Sequence, residues 1–173
     1  MEFVLVPIAV FALIAIHEMG HYAAGLTAGI PAKVMRIRLL TFPQHVALWD
    51  GERWVSPIKE MEHFIEVSRR YLGTRSAAFR WVVGGLIAET GFTIIACILA
   101  VQLGWQSVAF WIAITSLAMY LINVVLMDIP WAMIYGHVFG DTSGLWGISR
   151  LPALVVTAFM LAIRLVLVWY VTR

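Results

Sequence analysis

His17, Glu18 and His21 form the pattern H-E-x-x-H within AIHEMGHYAAG, residues 15–25. On a helix, residues four apart lie one turn apart on the same face, so both imidazoles can bind one metal ion with Glu18 beside a bound water. Zinc suits this set, because it accepts imidazole nitrogen and, with three protein ligands, keeps a position open for water. The metal lowers the pKa of that water, Glu18 takes the proton, and the hydroxide can attack a carbonyl.

The setting of these residues sharpens the reading. The chain has 173 residues, 62% hydrophobic and 13% charged, with a mean hydropathy of +0.89. Those values point to an integral membrane protein in a lipid bilayer rather than to a water-soluble core. An ionisable group inside a bilayer costs roughly 2.5 to 3.5 kcal/mol on insertion scales, so three in one turn require a partner such as a metal or a polar cavity. The formal charge of +2 in so apolar a chain gives no basis for nucleic-acid binding. Cys97 is the single cysteine, which excludes an intrachain disulfide.

Four stretches are long enough to cross a bilayer, for which roughly 20 apolar residues are needed. They cover about 3–29, 78–103, 107–127 and 151–171. The first is expected to be a retained helix rather than a cleaved leader: Glu2 precedes it without Lys or Arg, and no small-residue cleavage site follows. Between the first two lies an insertion, 30–77, in which AKVMRIRLL and HVALWDGERWV read as short strands with a hairpin turn at Asp50-Gly51. PIKEMEHFIEVSRRYLG, 57–73, interleaves Ile58, Met61, Phe64, Ile65 and Leu72 with charges, as an amphipathic helix on the membrane surface does. The expected fold is therefore an all-α polytopic membrane protein, a single membrane domain over 1–173, with a small cytoplasmic β-hairpin element and an amphipathic surface helix.

Nine of the twelve Lys and Arg fall between Lys33 and Arg80, which makes the insertion cytoplasmic by the positive-inside rule. His17 lies about 21 Å along the first helix from Phe3, toward the cytoplasmic side. Two histidines do not complete a three-ligand site, so a third group must come from elsewhere. Asp141, His137, Asp128 and Glu89 are the candidates. The loop 128–150 returns to the side of His17 and His21, and Gly140 and Gly144 flank Asp141, leaving the backbone free to approach a metal.

HEMGHYAAGLTAGI resembles the H-E-x-G-H helix of the site-2 protease family of intramembrane zinc metalloproteases. That family's second signature, an Asn, a Pro and then an Asp-Gly whose Asp is the third zinc ligand, is similar to Asn123, Pro130 and Gly140-Asp141-Thr142-Ser143-Gly144, with Thr142 where the family has Gly. Its middle-helix pattern is loosely similar to Gly84-Gly85-Leu86-Ile87-Ala88-Glu89. The resemblance implies zinc held by His17, His21 and Asp141, Glu18 as general base, and Asn123 and Glu89 as candidates for contacting the substrate or an oxyanion. It implies a minimal member without a PDZ or CBS domain, cleaving a transmembrane segment of another membrane protein in a bacterial inner (cytoplasmic) membrane.

Glu89 has a second reading, as a buried group between helices that pairs with Arg164. Glu60-Met61-Glu62-His63 supplies another E-x-x-H, but it lies in a charged segment outside the apolar stretches, against a di-iron bundle. Gly25 and Gly29 mark close helix packing. The rival to the enzyme is a catalytically inactive protease-like scaffold or accessory subunit, working in a homo-oligomer or a larger membrane complex.

Overall fold

The computed structural model describes residues 5–136, 138 and 140–173. Helix α1, Leu5–Ala28, ends at Gly29, whose φ of +105° is the left-handed geometry glycine adopts without strain. That turn lets the Ile30 N–H reach back to the Gly25 carbonyl at 2.9 Å, closing the helix just before Pro31. Helix α3, Arg75–Gln102, starts at Thr74, whose hydroxyl accepts the Ala77 N–H at 3.1 Å. The two helices pack backbone to backbone. A Cβ on Gly20 would stand 2.5 Å from both the Ala88 Cβ and the Gly84 carbonyl oxygen, so only small residues permit this approach.

The third long helix runs further than the sequence suggests. Helix α4, Gln106–Leu121, widens into a π-helical stretch, Ile122–Asp128, and continues as α5, Ile129–Tyr135. The sequence reading ended this element at 127, ahead of Asp128 and Pro130. In the structure Pro130 sits in the first turn of α5, where its missing N–H is tolerated, and the widened turn carries the chain past it. Gly136, with φ +70°, then stops α5. Much of the expected loop 128–150 is thereby helical, since α6, Asp141–Ile148, follows and α7, Arg150–Val171, completes the chain. Four helical stretches, Leu5–Ala28, Arg75–Gln102, Gln106–Ile134 and Arg150–Val171, are long and apolar enough to cross a membrane. Large apolar side chains such as Phe11, Ile95, Leu126 and Phe159 stay exposed on them, which is consistent with helices that contact lipid.

The insertion forms an antiparallel sheet of order β1-β2-β3, with β1 Met35–Arg38, β2 His45–Trp49 and β3 Trp54–Val55. The expected turn at Asp50-Gly51 joins β2 to β3: Asp50 Oδ1 accepts the N–H groups of Glu52 at 2.8 Å and Arg53 at 2.9 Å, and Gly51 has φ +123°. Helix α2, Met61–Arg69, is amphipathic as its pattern indicates, but its apolar face has a different destination. Phe64 and Val67 are buried in a cluster with Leu48 and Val55 of the sheet, and Phe64 stacks on Trp81 of α3. Protein thus covers Phe64 and Leu72 of the expected stripe, while Met61 and Ile65 are half-buried and Ile58 stays exposed.

Candidate metal centre

The close approach of α1 and α3 builds the site. His17 and His21 lie one turn apart on α1, and the His21 ring fills the space beside Gly85 of α3: a Cβ there would be 2.5 Å from His21 Nε2. Asp141, the first residue of α6, completes the group from the other side of the sequence. Its Oδ2 is 2.8 Å from His17 Nε2 and 3.2 Å from His21 Nε2, and the two Nε2 atoms are 3.0 Å apart. His17, His21 and Asp141 thus offer three ligand atoms that converge on one point.

The hydrogen bonds on the far sides of the rings determine what those three atoms present. His21 Nδ1 lies 3.1 Å from the Trp81 main-chain carbonyl, which can only accept, so Nδ1 carries the proton and Nε2 is directed at the centre. His17 Nδ1 faces a carboxylate oxygen of Glu89 at 3.4 Å, with the same consequence. Two imidazole nitrogens and a carboxylate oxygen then face one another in a half-buried pocket, an arrangement that could hold a metal ion. The donor chemistry fits zinc, whose tetrahedral bonds of about 2.0–2.1 Å set neighbouring ligand atoms about 3.3 Å apart.

Asp141 is held in place by a residue of the preceding helix. Asp128, buried at the end of the π-helical stretch, accepts the Gly140 N–H on Oδ1 at 3.1 Å and the Ser143 N–H on Oδ2 at 2.9 Å. It therefore caps the amino end of α6 in place of the side chain that Gly140 lacks. This revises the role expected for the glycines. Gly140 has an ordinary extended backbone, φ −137°, and what its missing side chain provides is room for Asp128, whose Cγ would lie 3.0 Å from a Cβ. Leu145, fully buried against Val83, Leu86 and Tyr120, anchors the rest of α6.

Glu18 is buried, lies within electrostatic reach of His17, His21 and Asp141, and accepts no hydrogen bond from any described residue. Its carboxylate is available to a water. Glu89 is engaged otherwise: Arg164 Nη2 donates to Oε1 at 2.9 Å, as does the Ser116 hydroxyl at 3.2 Å, while Oε2 faces His17. The anticipated pairing with Arg164 is present. Asn123 is exposed on the π-helical stretch, and no contact joins it to the cluster among the described residues. His137, the alternative third ligand, lies outside the described residues. Sequence reasoning misses the Trp81 carbonyl, for which no side-chain signal exists. It reads Asp128 as a solvated cap at a span end, whereas Asp128 is buried and caps α6, whose N–H groups lie 12 and 15 positions further along.

With this geometry in view, comparison of the chain with protein-family models, with curated proteins and with solved structures returns no match.

Proposed function

We propose that this chain is an intramembrane zinc endopeptidase of the site-2 protease type, cleaving a transmembrane segment of another membrane protein. The observation that carries the reading is the convergence of His17 Nε2, His21 Nε2 and Asp141 Oδ2, each within 3.2 Å of the others, with both Nδ1 atoms turned to acceptors outside the cluster. A zinc ion held by His17, His21 and Asp141 would supply Lewis acidity, polarising a carbonyl and lowering the pKa of water. Glu18 would take one proton from a water molecule as the water oxygen bonds to the peptide carbon. The same carboxyl then delivers the proton to the nitrogen as the C–N bond breaks, so that water is consumed and a carboxylic acid and an amine are formed.

A helical substrate has its carbonyls occupied by hydrogen bonds, so it must unwind locally before cleavage. Among the described strands β1 pairs with β2 alone, and its other edge would receive an unwound peptide by strand addition. On this reading the basic insertion would be cytoplasmic and the catalytic residues would lie toward that face, with His21 about 10 Å in from the end of α1. Glu18→Gln tests the chemistry, because it removes the base and no ligand. The purified variant should retain zinc and lose cleavage of a substrate that the wild-type protein cuts, whereas undiminished turnover would overturn the mechanism. A wild-type chain that binds no metal would instead be the scaffold.

A further inference from the structure

We infer that Glu89 and Arg164 are positioning residues for the metal centre: Arg164 holds the Glu89 carboxylate, and Glu89 holds the His17 ring with Nδ1–H toward itself and Nε2 toward the metal. The inference rests on the zinc reading above and goes beyond it, since neither residue touches the three converging atoms.

Arg164 is fully buried about 21 Å along α7, and Glu89 is buried midway along α3. Carrying two charges so deep is costly, and an apolar pair of similar volume would join the helices as well or better. The contacts of the pair suggest what the charges are for. Glu89 Oε1 takes both the guanidinium, at 2.9 Å, and the Ser116 hydroxyl, at 3.2 Å, which leaves Oε2 for His17 at 3.4 Å. Arg164 is itself fixed, with Nη1 donating to the Met160 carbonyl at 3.1 Å and its Cζ 4.4 Å from the centre of the Tyr120 ring. Its Nε–H has no hydrogen-bond acceptor among the described residues, so the arrangement is not one tuned for stability alone. His21 provides the internal comparison: a rigid main-chain carbonyl holds its Nδ1, whereas His17 depends on a side chain that must itself be held. A carboxylate on the outer nitrogen of a metal-bound histidine fixes its tautomer and raises its basicity as a ligand.

The test uses the full-length protein in detergent, with zinc affinity measured by chelator competition and the visible spectrum recorded after cobalt substitution. Glu89→Gln alone strands the Arg164 charge, so the informative variant is the neutral double substitution Glu89→Gln with Arg164→Gln. We expect it to bind zinc about 10- to 100-fold more weakly and to shift the cobalt bands. Unchanged affinity and spectrum would overturn the inference while leaving the zinc reading intact, and a wild-type protein without zinc affinity would overturn both. Should the double variant not fold, nitrogen-15 histidine spectra of the zinc-loaded wild-type protein decide. A protonated His17 Nδ1 with Nε2 on the metal is expected, and metal on Nδ1 would refute the pair's role.

Discussion

The His21 imidazole occupies the volume that a side chain on Gly85 would need, its Nε2, Cδ2 and Cε1 lying 2.5, 2.8 and 2.8 Å from the Cβ position. A helix interior normally gains up to about 1 kcal/mol when glycine becomes alanine. At Gly85 the added methyl must instead displace the ring. Gly85→Ala is expected to leave the protein folded and to weaken zinc binding by at least about tenfold, the scale of a disturbed ligand environment. Gly91→Ala, with nothing within 4 Å of its Cβ position, is the control and should bind like wild type. Equal zinc affinities in the two variants would mean that the ring does not need its observed place.

Asp128 is expected to matter through α6 and not as a ligand. Asp128→Ala removes the acceptor for the Ser143 N–H and one of two acceptors for the Gly140 N–H. The loss should cost about 1–2 kcal/mol, the usual scale for a helix cap, and should loosen Asp141 at the same time. Thermal unfolding and zinc affinity should therefore fall together, with Asp128→Asn intermediate because one acceptor oxygen remains. A variant with lowered stability and wild-type zinc affinity would separate the cap from the site.

A pH dependence is expected in the insertion. The hydrogen bond from His63, at 3.0 Å, and then the N–H groups of Arg53 and Glu52 hold the Asp50 carboxyl well below the usual carboxylate range. The same bond, with Glu66 beside it, raises the His63 imidazole. A lowered carboxyl stabilises the fold above its unfolded pKa of about 4, and that contribution is lost as pH falls toward its folded value. A raised imidazole stabilises the fold below its unfolded pKa of about 6.5, and that contribution is lost as pH rises through its folded value. The pair is thus strongest between about pH 4 and pH 6.5. The difference in melting temperature between wild type and His63→Ala should be larger at pH 5.5 than at pH 8.5, and larger in low salt. A difference that does not change with pH would show that the pair has no linkage to folding.

Much of this arrangement is legible in the sequence because it depends on local pattern. H-E-x-x-H sets His17 and His21 on one face of any helix, hydropathy alone marks the four long helices, and Asp50-Gly51 marks its own turn. Other features depend on what meets what. Phe64 and Val67 write the same stripe whether lipid or a sheet covers it, and only the tertiary contact with Leu48 and Val55 distinguishes the two. Strand β3 has two residues, too few for alternation to register. Pro130 reads as a boundary unless the turn ahead of it widens. Arg164 and Glu89 could be seen as misplaced charges, but the third partner, His17, required knowing which faces of α1, α3 and α7 point inward.

Metal content after purification tests the central claim most directly. Wild type, Asp141→Ala and His137→Ala should be prepared identically and their zinc measured per chain. The account predicts stoichiometric zinc in wild type and in His137→Ala and its loss in Asp141→Ala, since Oδ2 of Asp141 is the atom that meets both imidazoles. Zinc retained in Asp141→Ala and lost in His137→Ala would contradict the account and make His137 the third ligand.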